Sequence, residues 1–478
     1  MTYLKKIVKS TKIQILFLIL ITILIYANTL QNGFAWDDYD FLYIWPSIKD
    51  NGGLSVTFSL PSLMAGDLPS NHLGVYRPLR SVFYVLSFKI YGTNPFGYHL
   101  QAIFIHLSAV LLIYFITRLI INKPLVPFMT ALLFATHPIH TESVSFITAS
   151  FDTVGVVFLL LSFYLYLKKT KAHLFASYIY AAFAFFTYEM TLVLPLLIIL
   201  YDFCFKKRLR IKVYLPYFIL LMAYGIIRFL LLKVGNRADY LGPNFLNSAL
   251  LSRIETPELL LGYFSWLVLP INLTITHNVP EKLLSGLLAI NNFSNQGIFI
   301  ANLLMKISII VPIITIASVV YLILKIFSKR KEIAFSLCWI LISLITVSNI
   351  LPQGAPWTER YLYLPSYGFV LLIAYSYNIF SKKISLYLLI VLFFANIIFY
   401  STVTFLRNKD WQNDKTLFSS VLKINPNNDS AYNGIGLFYL RAHQPNLAVA
   451  ALKKALKINP NNIDSKNRLD ILSKQGIN

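Results

Sequence analysis

Apolar runs of membrane-crossing length follow one another along most of the chain, and the breaks between them are basic in alternation. The first runs from Ile13 to about Leu30, behind Lys5, Lys6, Lys9 and Lys12, and is long enough to span a hydrocarbon core of roughly 30 Å. Lipid offers backbone groups no hydrogen-bond partner, so such a run crosses as a helix. No small-residue cleavage site follows it, so it reads as an uncleaved first helix rather than a signal peptide. Lysine and arginine mark the cytoplasmic side, which puts the N-terminus inside and the next break, Gly33-Phe34-Ala35-Trp36-Asp37-Asp38-Tyr39, outside.

The composition agrees with a polytopic membrane protein. Charged residues make up 13% of the chain and hydrophobic ones 57%, whereas a soluble domain carries about a quarter charged. The formal charge of +22 resides in short clusters between apolar runs, a topology signal rather than a nucleic-acid patch. Cys204 and Cys338 lie at or in separate apolar segments, which supports neither a disulfide framework nor a CxxC metal site.

Taken in order, further spans are expected from about 96–121, 124–135, 153–167, 173–186, 190–205, 213–232, 297–324, 333–351, 361–380 and 384–406. Arg118 with Lys123, Lys168 to Lys171, Lys206 to Arg210, Lys325 to Lys331 and Lys382-Lys383 fall inside. Residues 79–91 carry Arg80 and Lys89 and read as an interfacial helix. If residues 257–273 crossed as well, the Lys325 to Lys331 cluster would face outward, so that stretch reads as re-entrant or interfacial. The result is an all-α transmembrane bundle of about eleven spans, residues 1–406, with the C-terminus outside. The location is the plasma membrane if the source is prokaryotic.

The tail, residues 407–478, has a different character. Leu422-Lys423-Ile424-Asn425-Pro426-Asn427-Asn428 recurs as Leu456-Lys457-Ile458-Asn459-Pro460-Asn461-Asn462, at the 34-residue period of tetratricopeptide (TPR) repeats. Tyr432, Gly436, Tyr439, Ala448, Leu452, Ala455 and Pro460 occupy that pattern's positions, and small Gly436 and Ala448 let two helices approach closely. One full repeat with partial flanks falls short of the usual three, so the segment is expected to pack on the membrane part or on a partner.

Several polar residues have no role in spanning a bilayer. Asp37, Asp38, Arg77, His137, His140, Glu142, Asp152, Glu189, Glu359 and Arg360 come from separate outer breaks, and a common outward-facing cavity is the economical reading. Each has a plainer alternative. Asp37 and Asp38 can cap a helix, Arg77 can snorkel to the interface, and Glu189 can complement a helix dipole. His137 and His140 can present two imidazoles to a divalent cation or stay hydrogen-bonded in a loop. His99 and His106 read as interhelical hydrogen-bond partners. Glu359 and Arg360 can form a local ion pair, yet an arginine at a helix mouth also suits a lipid-linked phosphate.

Trp36-Asp37-Asp38, Tyr76-Arg77-Pro78-Leu79, Asn94-Pro95-Phe96-Gly97-Tyr98-His99-Leu100 with His106, His137-Pro138-Ile139-His140-Thr141-Glu142, and Glu359-Arg360-Tyr361-Leu362-Tyr363-Leu364-Pro365-Ser366 with Gly368 together resemble the transmembrane and TPR repeat-containing O-mannosyltransferases, within the GT-C glycosyltransferases. The resemblance covers essentially the whole chain. It implies a GT-C fold, a polyprenyl-phosphate sugar donor and inverting transfer to a protein or glycan acceptor on the non-cytoplasmic side. By position it implies Asp37 as the catalytic carboxylate, Asp38 as its supporting acid and Arg360 as a donor-phosphate contact; Arg77 is a second candidate for that contact. The chain departs from the family pattern where an arginine usually precedes the acid at 152 and a lysine the acid at 189; here Phe151 and Tyr188 stand there.

The leading expectation is therefore a membrane glycosyltransferase with Asp37 as general base. The rival is a noncatalytic membrane scaffold that recruits a partner through its tail. Removing residues 407–478 is expected to abolish a scaffold's function but leave an enzyme some transfer to a small acceptor. A transporter would need polar or broken helices at mid-membrane, and ranks last.

Overall fold

A computed structural model of the protein describes residues 10–39, 76–206, 209–231, 259–275, 325, 330–348, 357–381 and 384–477. Lys5, Lys6 and Lys9 and all of the span expected at 297–324 lie outside the described residues; the described residues form helices and turns with no strand. Helix α1 is Thr11–Tyr26, extended by a 3-10 turn at Ala27–Gln31. Then come α2 (Pro78–Tyr91), α3 (Pro95–Ile120), α4 (Val126–Thr136), the short α5 (Thr141–Ser145), α6 (Ile147–Leu167) and α7 (Lys171–Thr187). The membrane part continues with α8 (Leu194–Tyr201), α9 (Ile211–Gly225), α10 (Leu259–Val268), α11 (Lys331–Leu344), α12 (Pro365–Phe380) and α13 (Leu386–Arg407).

Five helical stretches among the described residues are long and apolar enough to cross a membrane: Thr11–Gln31, Pro95–Ile120, Ile147–Leu167, Ile211–Phe229 and Leu386–Gln412. The chain is built as an integral membrane protein. Several other expected spans are shorter or interrupted, and local chemistry explains why. Helix α4 stops at His137, whose extended backbone is what a residue before proline prefers. The run expected at 190–205 divides into a 3-10 turn at Glu189–Val193, helix α8 and a π turn at Asp202–Lys206. Helix α10 has ten residues, about 15 Å of rise, too short to cross by itself.

The core runs along the bundle through Ile113, Leu159, Leu197, Trp339 and Tyr367, all fully or nearly fully buried. Helices α6 and α7 pack side by side, as do α3 and α6, and α11 and α12. At the last contact a Cβ on Gly368 would lie 2.6 Å from the Ser336 carbonyl oxygen, so only glycine permits that approach.

The tail forms four helices: α14 (Asp414–Ile424), α15 (Asp429–Arg441), α16 (Pro445–Ile458) and α17 (Ile463–Lys474). The 34-residue recurrence has a physical counterpart in its caps. Asn428 accepts from the Ala431 amide and Asn462 from the Ser465 amide, each starting a helix. Asn459 and Asn462 both donate to Asp429 at 2.8 Å, tying one repeat to the next. Those bonds hold the Asp429 carboxyl below the usual carboxylate range although burial opposes them. A Cβ on Gly436 would sit 2.8 Å from Leu452, so the α15–α16 approach depends on the small residue.

Candidate active site

Helix α6 organises the acid end of the bundle. Thr148 and Asp152 stand four residues apart near its start, and therefore on one face. Asp38 is 1% exposed and is held to the first of them. Its Oδ1 accepts from the Thr148 amide at 2.8 Å and from the Thr148 hydroxyl at 2.6 Å, while Oδ2 accepts from the Ala35 amide at 3.1 Å. Burial pushes this carboxyl up to about 7 against the pull of those donors. Asp38 thus fixes the turn to α6, and Asp37, half-buried, stands beside it.

One helical turn further along, Asp152 faces two guanidinium groups. Arg77 donates from Nη1 to Asp152 at 2.8 Å and from Nε to Glu189 at 2.6 Å. Arg80 approaches the same Asp152 oxygen at 3.2 Å and donates to the Tyr84 hydroxyl at 3.0 Å. Arg228 reaches Glu189 at 3.4 Å and the Tyr224 hydroxyl at 2.9 Å. Gly155 makes room for this gathering, because a Cβ there would lie 2.8 Å from that of Tyr188. The Arg77 guanidinium lies 4.9 Å from the centre of the Tyr188 ring.

This decides between the two readings of Arg77 and adds two residues. Arg77 is 15% exposed in its side chain and engages two carboxylates, which is not a snorkelling geometry. Arg80 is 4% exposed and points into the cluster rather than to the outer face of α2. Arg228 went unnoticed because it lies within an apolar run of spanning length, where a buried charge is itself a functional signal. Arg80 and Arg228, supplied from α2 and from the π turn at Ile226–Leu231, bring two further cations to Asp152 and Glu189.

Glu359 and Arg360 do not pair with each other. Arg360 donates from Nη1 to Glu142 at 2.5 Å and from its backbone amide to the other Glu142 oxygen at 3.0 Å. Glu359, fully buried, accepts from Arg407 at 2.6 Å. Arg407 also donates to the Leu273 carbonyl, which ties the stretch after α10 to the end of α13. Arg360 interacts electrostatically with Tyr188 and Asp152, so its pair and the Arg77 cluster belong to one neighbourhood.

The histidines serve the framework. His137 Nε2 meets the Leu267 carbonyl at 3.0 Å and its Nδ1 accepts from the Ile139 amide. His140 Nδ1 meets the Phe134 carbonyl and its Nε2 the Ser366 hydroxyl, both at 2.8 Å. With all four nitrogens engaged, the pair does not fit a metal, and among the described residues no three His, Cys, Asp or Glu side chains are grouped to hold one. His99 lies 3.2 Å from the Gly33 carbonyl and His106 2.7 Å from the Tyr363 hydroxyl.

With this geometry established, relatives can be compared. No family model and no solved structure matches the chain. Among curated proteins it is 25% identical over 431 residues to the protein O-mannosyl-transferase F38B6.6 of Caenorhabditis elegans, covering 88% of this chain and 59% of that protein. It is 26% identical over 459 residues to protein O-mannosyl-transferase TMTC3 of Homo sapiens, covering 86% of this chain and 47% of that one. It is 26% identical over 517 residues to TMTC2 of Mus musculus, with 90% and 61% covered. The chain spans about half to three fifths of the length of these relatives, and it resembles them over most of its own.

Proposed function

We propose that the chain is a GT-C-type membrane glycosyltransferase. It transfers a mannose-like hexose from a polyprenyl-phosphate donor to a hydroxyl of a protein or glycan acceptor on the non-cytoplasmic side. The observation that carries the reading is a cluster of three arginines and two carboxylates one helical turn along α6 from Thr148, the residue that anchors the acid turn. Asp38 fixes that turn with three hydrogen bonds, and Asp37 is the half-buried acid next to it in the chain. A buried or half-buried charge cluster is costly to assemble, and one that gathers several planar guanidinium groups suits a phosphate. The names of the relatives point the same way.

In this reading the donor's prenyl tail stays in lipid and its phosphate meets Arg360, Arg77 and Arg228, whose planar forks suit phosphate oxygens. Asp37 takes the proton of the acceptor hydroxyl as that oxygen attacks the anomeric carbon. The bond from the anomeric carbon to the phosphate oxygen breaks, and the leaving polyprenyl phosphate carries its electrons against the guanidinium groups. No step is routed through a metal. Residues 407–478 are read as a TPR segment on the same side as the site, available to a protein partner.

The test is donor consumption by the purified protein in lipid. Polyprenyl-phosphate mannose, polyprenyl-phosphate glucose and the corresponding nucleotide sugars are offered with a mixed peptide acceptor. Loss of sugar from a polyprenyl-phosphate hexose is the expected result; turnover of nucleotide sugars alone, or of none, contradicts the reading.

A further inference from the structure

The tail does not hang from the bundle; it closes on the turn that carries the acids. Trp36 is held in the left-handed region at φ +54°, a conformation that a bulky residue keeps only when its surroundings impose it. The restraint comes from residues more than 370 positions away. The Trp36 amide donates to Asp414 Oδ1 at 2.5 Å, and the Gly33 amide donates to the Gln412 carbonyl at 2.9 Å. The indole of Trp36 stacks on Phe146, and Phe146 on Trp411, at ring-centre distances of 5.5 and 5.0 Å. The other Asp414 oxygen accepts from Arg441 at 2.5 Å, and the Arg441 guanidinium lies 3.8 Å from the centre of the Tyr39 ring. Asp37 is bracketed on both sides by groups that the tail grips.

We propose that Asp414 and Arg441, contributed by the first two tail helices, are positioning residues for the acid turn and set the placement of Asp37 for transfer. The inference rests on the reading of Asp37 as the base. It also changes the expected consequence of removing residues 407–478: the deletion takes away Trp411, Asp414 and Arg441, so an enzyme would lose activity as completely as a scaffold loses its function. Deletion therefore cannot separate the two, and point changes in the clamp can.

The experiment measures two quantities on the full chain in lipid nanodiscs: steady-state hexose transfer, and hydrogen exchange of the peptide containing residues 33–39. Asp414→Ala is expected to speed exchange in that peptide, leave peptides of α3 unchanged, and lower kcat about tenfold or more with little change in KM for the lipid donor. Arg441→Lys keeps the charge but loses the flat face against Tyr39, so an intermediate effect on both readouts is expected, and it serves if Asp414→Ala does not fold. Asp429→Asn, which loosens the tail without touching the turn, is expected to leave both unchanged. Unaltered exchange in both clamp variants overturns the proposal, as does faster exchange with kcat intact while Asp37→Asn is inactive. An active Asp37→Asn protein instead overturns the reading of Asp37 as base, and the exchange data then still judge the clamp by itself.

Discussion

The two ends of helix α6 each gather buried charge, but on different terms. Asp152 and Tyr166 stand 14 positions apart on that helix, about 21 Å. At the far end Asp202, fully buried, accepts from the hydroxyls of Tyr166 at 2.6 Å and Tyr214 at 2.7 Å and from Arg210 at 3.3 Å, and Arg210 also donates to Tyr166. There one carboxylate is matched to one guanidinium and two phenols. At the near end three guanidinium groups, two from the start of α2 and one from the π turn at Ile226–Leu231, share Asp152 and Glu189, and Arg360 with Glu142 lies beside them. A single carboxylate ringed by phenols and a guanidinium locks helices together, whereas several guanidinium groups gathered in one place are what an anionic substrate can exploit.

If this contrast is sound, equal damage at the two ends moves different quantities. Arg77→Lys keeps the charge, but one ammonium cannot hold Asp152 and Glu189 in the geometry of Nη1 and Nε. Transfer is expected to fall about 100-fold with the unfolding midpoint nearly unchanged, as measured by donor turnover and thermal unfolding in the same detergent. Asp202→Ala should do the reverse. It leaves two tyrosine hydroxyls and a guanidinium without their acceptor, a loss of about 3 kcal/mol, discounted because the Arg210 side chain is 38% exposed. Turnover per folded molecule should stay as it was. A large activity loss in Asp202→Ala without loss of stability would erase the distinction between the ends.

A smaller effect sharpens the comparison through pH. The Asp38 carboxyl rises in the folded protein from its ordinary 3.8 to about 7, because it is buried. A raised folded value means that the folded state holds the proton more tightly, so this contribution to stability is complete below about 4 and is lost as pH climbs toward 7. Thermal midpoints measured from pH 4 to 8 should decline across that window more steeply for the wild type than for Asp38→Asn. Parallel curves would remove Asp38 as the cause.

Much of the membrane part was legible because bilayer chemistry writes itself into long apolar runs and basic breaks, and the acid turn stood out as two carboxylates beside such a run. What escaped were effects that the run length conceals. Arg228 sat inside a stretch that satisfied the span rule, and Arg80 resembled a surface marker until α2 turned it inward. Glu359 and Arg360, neighbours in sequence, took partners 48 and 218 positions away, respectively. The clamp on Trp36 is made largely by backbone groups and one carboxylate from the tail, and no local pattern announces such a pairing. The tail's period was plain from Asn428 and Asn462, but the surface it would dock against was not.

The central claim is that Asp37 removes the acceptor's proton, and replacing it with asparagine tests that most directly. Asp37→Asn should reach the membrane and bind the lipid donor as the wild type does, and transfer hexose about 1000-fold more slowly in single-turnover measurements on the purified, lipid-reconstituted protein. A rate within a few-fold of wild type, at equal amounts of folded protein, would contradict the account.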